Sequence, residues 1–264
     1  MEALTRSDTS DAPAGPSVTF VPLRFVTAAS LFDGHDAAIS VMRRVIQSQG
    51  AEVVHLGHNR SVEDIVRAAV QEDADAIAVS SYQGGHVEFF TYMIDMLRER
   101  GASHVRVFAG GGGTITHEEI ADLERYGLER VYHPNDGMRL GLVGMISDVI
   151  DRTRRAAAAR NNRPDSVLLS SPSLTVPFED EMAIGRMLSL IEEGLLDEAQ
   201  LGRLHAPSGR GAVGQAPVVG ITGTGGAGKS SVVDELLLRF LQAFPEMRIA
   251  VLAVDPTRRR SGGA

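Results

Sequence analysis

From about residue 23 to 150, short apolar runs alternate with amphipathic helical patterns without a break, and this alternation restricts the fold more than any other feature. The strand-like runs are Phe25–Ala28, Ala51–Leu56, Ala76–Ser80, Val105–Ala109 and Arg130–Tyr132. Between them, Ile39, Met42, Val45 and Ile46 recur at helical spacing, and Gly50 stops the pattern. Ser61-x-x-Asp64 opens a second helix like a capping box, with Ile65, Val66, Ala69 and Val70 on its apolar face. A third runs from about Val87 to Arg100 and is stopped by Gly101; Thr116-x-x-Glu119 opens a fourth; Met138–Ala159 is the fifth. Five β/α units with short connections predict an α/β fold, a parallel sheet covered on both faces. A doubly wound, flavodoxin-like strand order is expected.

On either side the pattern changes. Residues 1–17 are small and polar and read as a lead-in without fixed structure, so the first domain is expected over 18–160. Residues 161–216 read as a linker: Pro- and Ser-rich to about 180, then a helical segment carrying Met182, Met187, Leu188, Ile191, Leu195 and Leu196, then a Gly- and Ala-rich stretch. From 217 to 264 a new α/β unit begins, with a strand over Val218–Thr222, a helix over 229–243 and a strand over Ile249–Val254.

Composition removes several function classes. The chain of 264 residues has no Cys, which excludes disulfides, thiolate nucleophiles, Cys-type zinc sites and iron–sulfur clusters. Its formal charge of −8 lacks the basic footprint of a nucleic-acid binder. No apolar run approaches the roughly 18 residues of a membrane span, and the first residues lack the basic and apolar regions of a secretory signal. A reducing, cytoplasmic setting with no nucleic-acid or membrane partner is the expectation.

In a doubly wound sheet, ligands sit outside the carboxyl ends of the strands. The loops there are Ser30-Leu-Phe-Asp33-Gly34-His35-Asp36, Ser80-Ser-Tyr82-Gln-Gly84-Gly85-His86 and Gly110-Gly-Gly112-Gly113-Thr114. Side by side they present an imidazole, a carboxylate two residues before it, hydroxyls and bare glycine backbone. A neutral imidazole ligates borderline metals and needs an acceptor on its other nitrogen, a role Asp33 can fill for His35. A single His with no further ligand nearby suggests an axial ligand to a metal carried by a cofactor. His55-x-x-His58 is a weaker metal pair, because a strand end gives no helical register and no carboxylate completes it. His86, in the second loop, is a candidate neighbour of the cofactor.

Asp33-x-His35-x-x-Ala38, Ser80-x-Tyr82 and Gly110–Gly113, in this order, resemble the cobalamin-binding domain, whose pattern is Asp-x-His-x-x-Gly, Ser-x-Leu and Gly-Gly. The resemblance covers about 23–155 and implies His35 as the cobalt ligand, Asp33 as its orienting partner and Ser80 as a contact of the displaced nucleotide tail. It also implies that Gly34, Ala38, Tyr82, Gly84, Gly112 and Gly113 line the cofactor site. Ala38 and Tyr82 depart from the pattern's Gly and Leu. Ala adds one methyl, and Tyr brings a hydroxyl that needs a partner.

Gly223-Thr-Gly225-Gly226-Ala227-Gly228-Lys229-Ser230 matches the phosphate-binding loop G-x-x-x-x-G-K-[ST], after an apolar run and before a helix. Loop N–H groups, with Ser231 on the helix, face phosphates; Lys229 reaches the β and γ oxygens, and Ser230 holds Mg²⁺. Asp255, in Val254-Asp-Pro-Thr257, is similar to a magnesium-side residue in the G-protein metallochaperones that service cobalamin mutases. No Asn-Lys-x-Asp base motif follows, so a guanine nucleotide, GTP or GDP, is implied by that resemblance alone.

The two segments together resemble the fused family of cobalamin-dependent acyl-CoA mutases. That implies an isomerase using adenosylcobalamin for a radical 1,2-rearrangement, isobutyryl-CoA to n-butyryl-CoA, with a GTPase chaperone and a homodimeric full-length form. The acyl-CoA partner needs a substrate barrel of about 250 residues. The chain is therefore expected to be a fragment with no catalytic residue of its own, one that binds cobalamin but neither isomerises acyl-CoA nor hydrolyses GTP efficiently. A stand-alone cobalamin carrier or sensor is the alternative. A receiver domain is disfavoured because Ser80-Ser81-Tyr82 stands where a phosphoacceptor Asp belongs.

Overall fold

Strands that pair on both edges and pack on both faces must be apolar throughout. The first strand, β1 (Arg24–Ala29), is buried at every position after Arg24. The computed structural model describes residues 21–33, 36–161, 176–177, 179–205 and 217–253. The next elements are α1 (Asp36–Ser48), β2 (Glu52–His55), α2 (Val62–Gln71), β3 (Ala76–Ser80) and α3 (His86–Glu99). They are followed by β4 (Arg106–Gly110), a 3₁₀ turn at Gly112–Thr114, α4 (His117–Tyr126), β5 (Arg130–Tyr132) and α5 (Pro134–Asn161). The sheet order is β2-β1-β3-β4-β5, every pair parallel, with Val26 opposite Val54 and Ile77, and Val79 opposite Ala109. This is the expected flavodoxin-like order, and the reversal between β1 and β3 aligns the loops at their carboxyl ends.

Alternation along the strands feeds two cores. Val26, Ile77 and Val107 face α2, α3 and α4 with Ile65, Phe90, Leu97 and Leu123. Phe25, Val53 and Phe108 face α1 and α5 with Ile46, Ile146, Val149 and Ile150. Fully burying one such side chain stabilises by about 1.5–3 kcal/mol. Thr116 and Glu119 form the expected reciprocal capping box, whereas Ser61 caps α2 through its hydroxyl. Helix α5 starts earlier than expected, at Pro134, because Asp136 accepts from the His133 N–H and His133 Nδ1 from the Asn135 N–H. Gly141, at φ 66° and ψ 166°, interrupts it.

Two further helices, α6 (Glu181–Glu192) and α7 (Glu198–His205), share a small core of Met187, Leu190 and Leu196. The chain divides into two compact units, with the boundary between Ala206 and Pro207. In the second, α8 (Lys229–Ala243) forms as expected and buries none of its residues. Segments 218–222 and 249–253, expected as strands, have no ladder pairing among the described residues. A strand exists only with a partner, and Val218 and Leu252 are 96% and 92% exposed. Among the described residues no helix is long and apolar enough to cross a membrane.

Candidate cofactor and nucleotide sites

The loop after β1 is tied to the loop after β3 by a buried carboxylate. Asp33 is 2% exposed, and its Oδ2 accepts the Tyr82 N–H at 2.8 Å and the Ser80 hydroxyl at 3.4 Å. The Asp33 N–H donates to the Ser30 carbonyl at 3.0 Å, closing a tight turn. Asp33 therefore braces two loops, a role its place two residues before His35 did not announce. Gly34 and His35 lie outside the described residues.

The loop after β4 fits against the same brace. A Cβ on Gly111 would strike the Ser81 carbonyl oxygen and come within 2.7 Å of Ile115. Gly112 has φ +61°, a left-handed conformation that glycine adopts freely, and a Cβ there would meet the Tyr82 ring. Thus Tyr82, half exposed, lays its ring over bare backbone, and the expected Leu-to-Tyr departure becomes a stacking contact.

Beneath these loops a cavity of about 520 Å³ runs between the carboxyl halves of β3, β4 and β5 on one side and α1 and α5 on the other. That size falls within the roughly 300–1,000 Å³ of small-molecule sites. Ala78, Phe108 and Gly110–Gly112 floor it; Ile39 and Met42 of α1, with Leu142 and Met145 of α5, wall it. Ala38, Ser80, Tyr82 and Gly112, singled out from the sequence, all line it, while Gly84 and Gly113 do not and face open space. Tyr132, on the far wall, donates to Asp148 at 2.8 Å, and burial with that bond raises its pKa, so the phenol stays neutral.

An apolar cavity floored in part by glycine backbone can take a flat organic group, which is what the resemblance requires of a cobalamin site. His133, just after β5, also lines the slot and meets the His117 ring in a tilted contact with centroids 4.6 Å apart. Reading the residues after the fifth strand, as after the others, would have found it. His86 does not reach the slot. It is 3% exposed, with Nδ1 3.0 Å from the Gln83 carbonyl oxygen and Nε2 3.3 Å from Glu119. Hydrogen bonds from the Thr116 backbone and hydroxyl hold the Glu119 carboxyl below its usual range, and His86 adds to this. His55 Nδ1 lies 2.9 Å from the Thr27 hydroxyl, a bond within the sheet.

In the second unit, residues 223–228 coil into the helix α8. Gly226 and Gly228 have φ +76° and +81°, and Gly228 is the N-cap. Lys229 Nζ donates to the Thr224 carbonyl at 2.7 Å, which places its ammonium over the loop. A Cβ on Gly223 would lie 3.6 Å from the Lys229 stem. The Ala227 N–H donates back to the Thr224 carbonyl, and Ser230 and Ser231 lie exposed in the first turn of α8. Asp255 lies outside the described residues.

A family model described as the B12 binding domain matches residues 23–139, and one described as methylmalonyl-CoA mutase-associated GTPase MeaB matches 184–264. The chain is 53% identical over 248 residues to the fused isobutyryl-CoA mutase of Cupriavidus metallidurans, covering 92% of this chain and 21% of that protein. It is 51% identical to the protein of the same name from Geobacillus kaustophilus, with 92% and 22% covered. The chain thus spans about a fifth of the length of these relatives. It is also 31% identical to the 2-hydroxyisobutanoyl-CoA mutase small subunit of Aquincola tertiaricarbonis, covering 54% of this chain and 97% of the subunit.

Proposed function

Because this chain belongs to the B12-binding family that includes the small subunits of acyl-CoA mutases, we propose that it is the adenosylcobalamin-binding portion of a radical acyl-CoA mutase, joined to the start of its GTPase chaperone. The observation that supports this best is the glycine-floored slot under the Asp33 brace. The whole protein would rearrange isobutyryl-CoA to n-butyryl-CoA as a homodimer in the cytoplasm, with the acyl-CoA bound by a barrel domain. We take 18–160 as the cobalamin domain, 161–216 as a linker carrying helices, and 217–264 as the nucleotide-binding start of the chaperone.

When bound, adenosylcobalamin supplies a carbon radical by Co–C homolysis. The chain's share is to seat and shield it. His35 would ligate cobalt, and Asp33 would orient that imidazole while bracing the loop after β3. Ser80 and Tyr82 would contact the tail, and Gly110–Gly112 would allow it to lie against backbone. The apolar walls from α1 and α5 exclude water from the tail. In the second unit the glycine-loop N–H groups and Lys229 take the phosphates of GTP, and Ser230 and Asp255 hold Mg²⁺.

Electron paramagnetic resonance of Co(II)-cobalamin on ¹⁵N-labelled protein tests the assignment. Hyperfine coupling to a protein nitrogen, lost in His35→Ala, is expected. Coupling to the cofactor's own base in the unmodified protein would overturn it.

A further inference from the structure

Sequence family and packing disagree about residues 184–205. The match to the chaperone family begins at 184, yet α6 belongs to the five-stranded unit. The seat is made closely. A Cβ on Gly185 would stand 2.7 Å from the Gln71 carbonyl oxygen and 3.0 Å from that of Val70, so the helix rests on the carbonyl end of α2. Arg186 donates to Asp73 Oδ2 at 3.1 Å, and Arg160, at the end of α5, donates to Asp73 Oδ1 at 2.7 Å. Arg24, at the start of β1, reaches Ser189 at 3.0 Å and Glu192 at 3.1 Å, and Arg67 pairs with Glu181 at 2.8 Å.

Asp73 thus joins α5 to α6, the helix in which the chaperone family's match begins. Its carboxylate is 3% exposed, so losing either arginine leaves a buried charge poorly compensated. Helix α5 connects this point to the other end of the sheet. Beyond the interruption at Gly141, Leu142, Met145, Ile146 and Val149 wall the cofactor slot, and Arg160 ends at Asp73. Some twenty helical residues span about 30 Å. A rigid element with a glycine break at the slot and an ionic anchor at the far end can carry a displacement between the two.

We propose that α6 is the docking helix of the chaperone segment, and that Asp73 is the clamp through which its seating reaches, along α5, the wall of the cofactor slot. The occupant that this surface on α2, β1 and α5 fits is thus α6, whose residues from 184 onward match the chaperone family. The coupling rests on the cobalamin reading above; the seat itself does not.

The test uses the full chain with Arg186→Gln, which unpairs the clamp, and Gly185→Leu, which lifts the helix without touching a charge. Hydrogen exchange reads 181–192 and α5; slow exchange in β1, β3 and β4 certifies an intact sheet. Spectrophotometric titration with hydroxocobalamin reads affinity. Both variants are expected to speed exchange at 181–192 and to change the cobalamin Kd by about fivefold or more, the lower end of usual coupling between sites. Arg186→Lys should restore most of both. Unchanged exchange over 181–192 in both variants overturns the clamp. Faster exchange there with an unchanged Kd overturns the coupling and leaves the cobalamin reading intact. Failure of the unmodified chain to bind hydroxocobalamin overturns that reading and the coupling together.

Discussion

Replacing Asp33 by alanine removes a nearly buried carboxylate and leaves the Tyr82 amide without its acceptor. A hydrogen bond to a charged group contributes about 1.5–3 kcal/mol, and the 3.4 Å contact with Ser80 adds little. A loss of about 2 kcal/mol is expected, which for a domain of this size lowers Tm by about 4–8 °C. Asp33→Asn keeps an acceptor for the Tyr82 N–H and should cost about half as much. All four tyrosines, 82, 92, 126 and 132, lie in the first unit and there is no Trp, so tyrosine fluorescence follows that unit alone. With the loop after β3 released, Tyr82 leaves Gly112 and cobalamin affinity should fall in both variants, more in the alanine. An Asp33→Ala protein that melts with wild type would refute the brace. One that is destabilised but binds cobalamin with wild-type affinity would refute its link to the slot.

Two other outcomes follow from single contacts. Gly111→Val puts a branched side chain into the Ser81 carbonyl and Ile115, so it should cost about 1–3 kcal/mol and abolish cobalamin binding, checked by melting and titration. Burial, with Arg160 and Arg186 beside it, lowers the His104 pKa to about 4 from 6.5. The unfolded chain therefore takes up this proton first, so stability from this residue is intact above pH 6.5 and is lost as pH falls toward 4. The ceiling is about 3 kcal/mol, less for partial exposure. His104→Gln should flatten that limb of a stability–pH curve. Asp75 and Glu193, whose carboxyls burial pushes up, oppose the slope, because they gain protons first in the folded chain.

The sheet was legible because its information is local. Each strand is a short apolar run, each helix a periodic one, and five in alternation leave few topologies. Part of the slot's lining was legible too, since Ser80 and Gly112 stand at or just after strand ends, whereas Gly113 in the same run and Gly84 face open space. Its α5 wall was not, because Leu142 and Met145 look like any core residues until the helix is placed. The seat of α6 was hidden for a different reason. Asp73 and Arg186 are 113 residues apart, and a charged pair at that separation leaves no periodic trace. The segments 218–222 and 249–253 show the reverse failure. Their apolar character predicts strands, but pairing depends on a neighbour that local sequence does not supply.

The contrast between the two units bears on how the chain responds to heat and denaturant. In the first unit, β1, β3 and β4 lie between two packed layers, while α8 in the second buries nothing. Opening α8 costs little beyond its own backbone bonds, whereas opening β3 exposes both cores. A far-ultraviolet melt therefore sums two transitions, the first broad and early, and a two-state fit returns a midpoint that belongs to neither. The tyrosine signal sees only the later one. A gap between the two curves that closes when a nucleotide is added would measure how much order the phosphate loop and its helix gain on binding it.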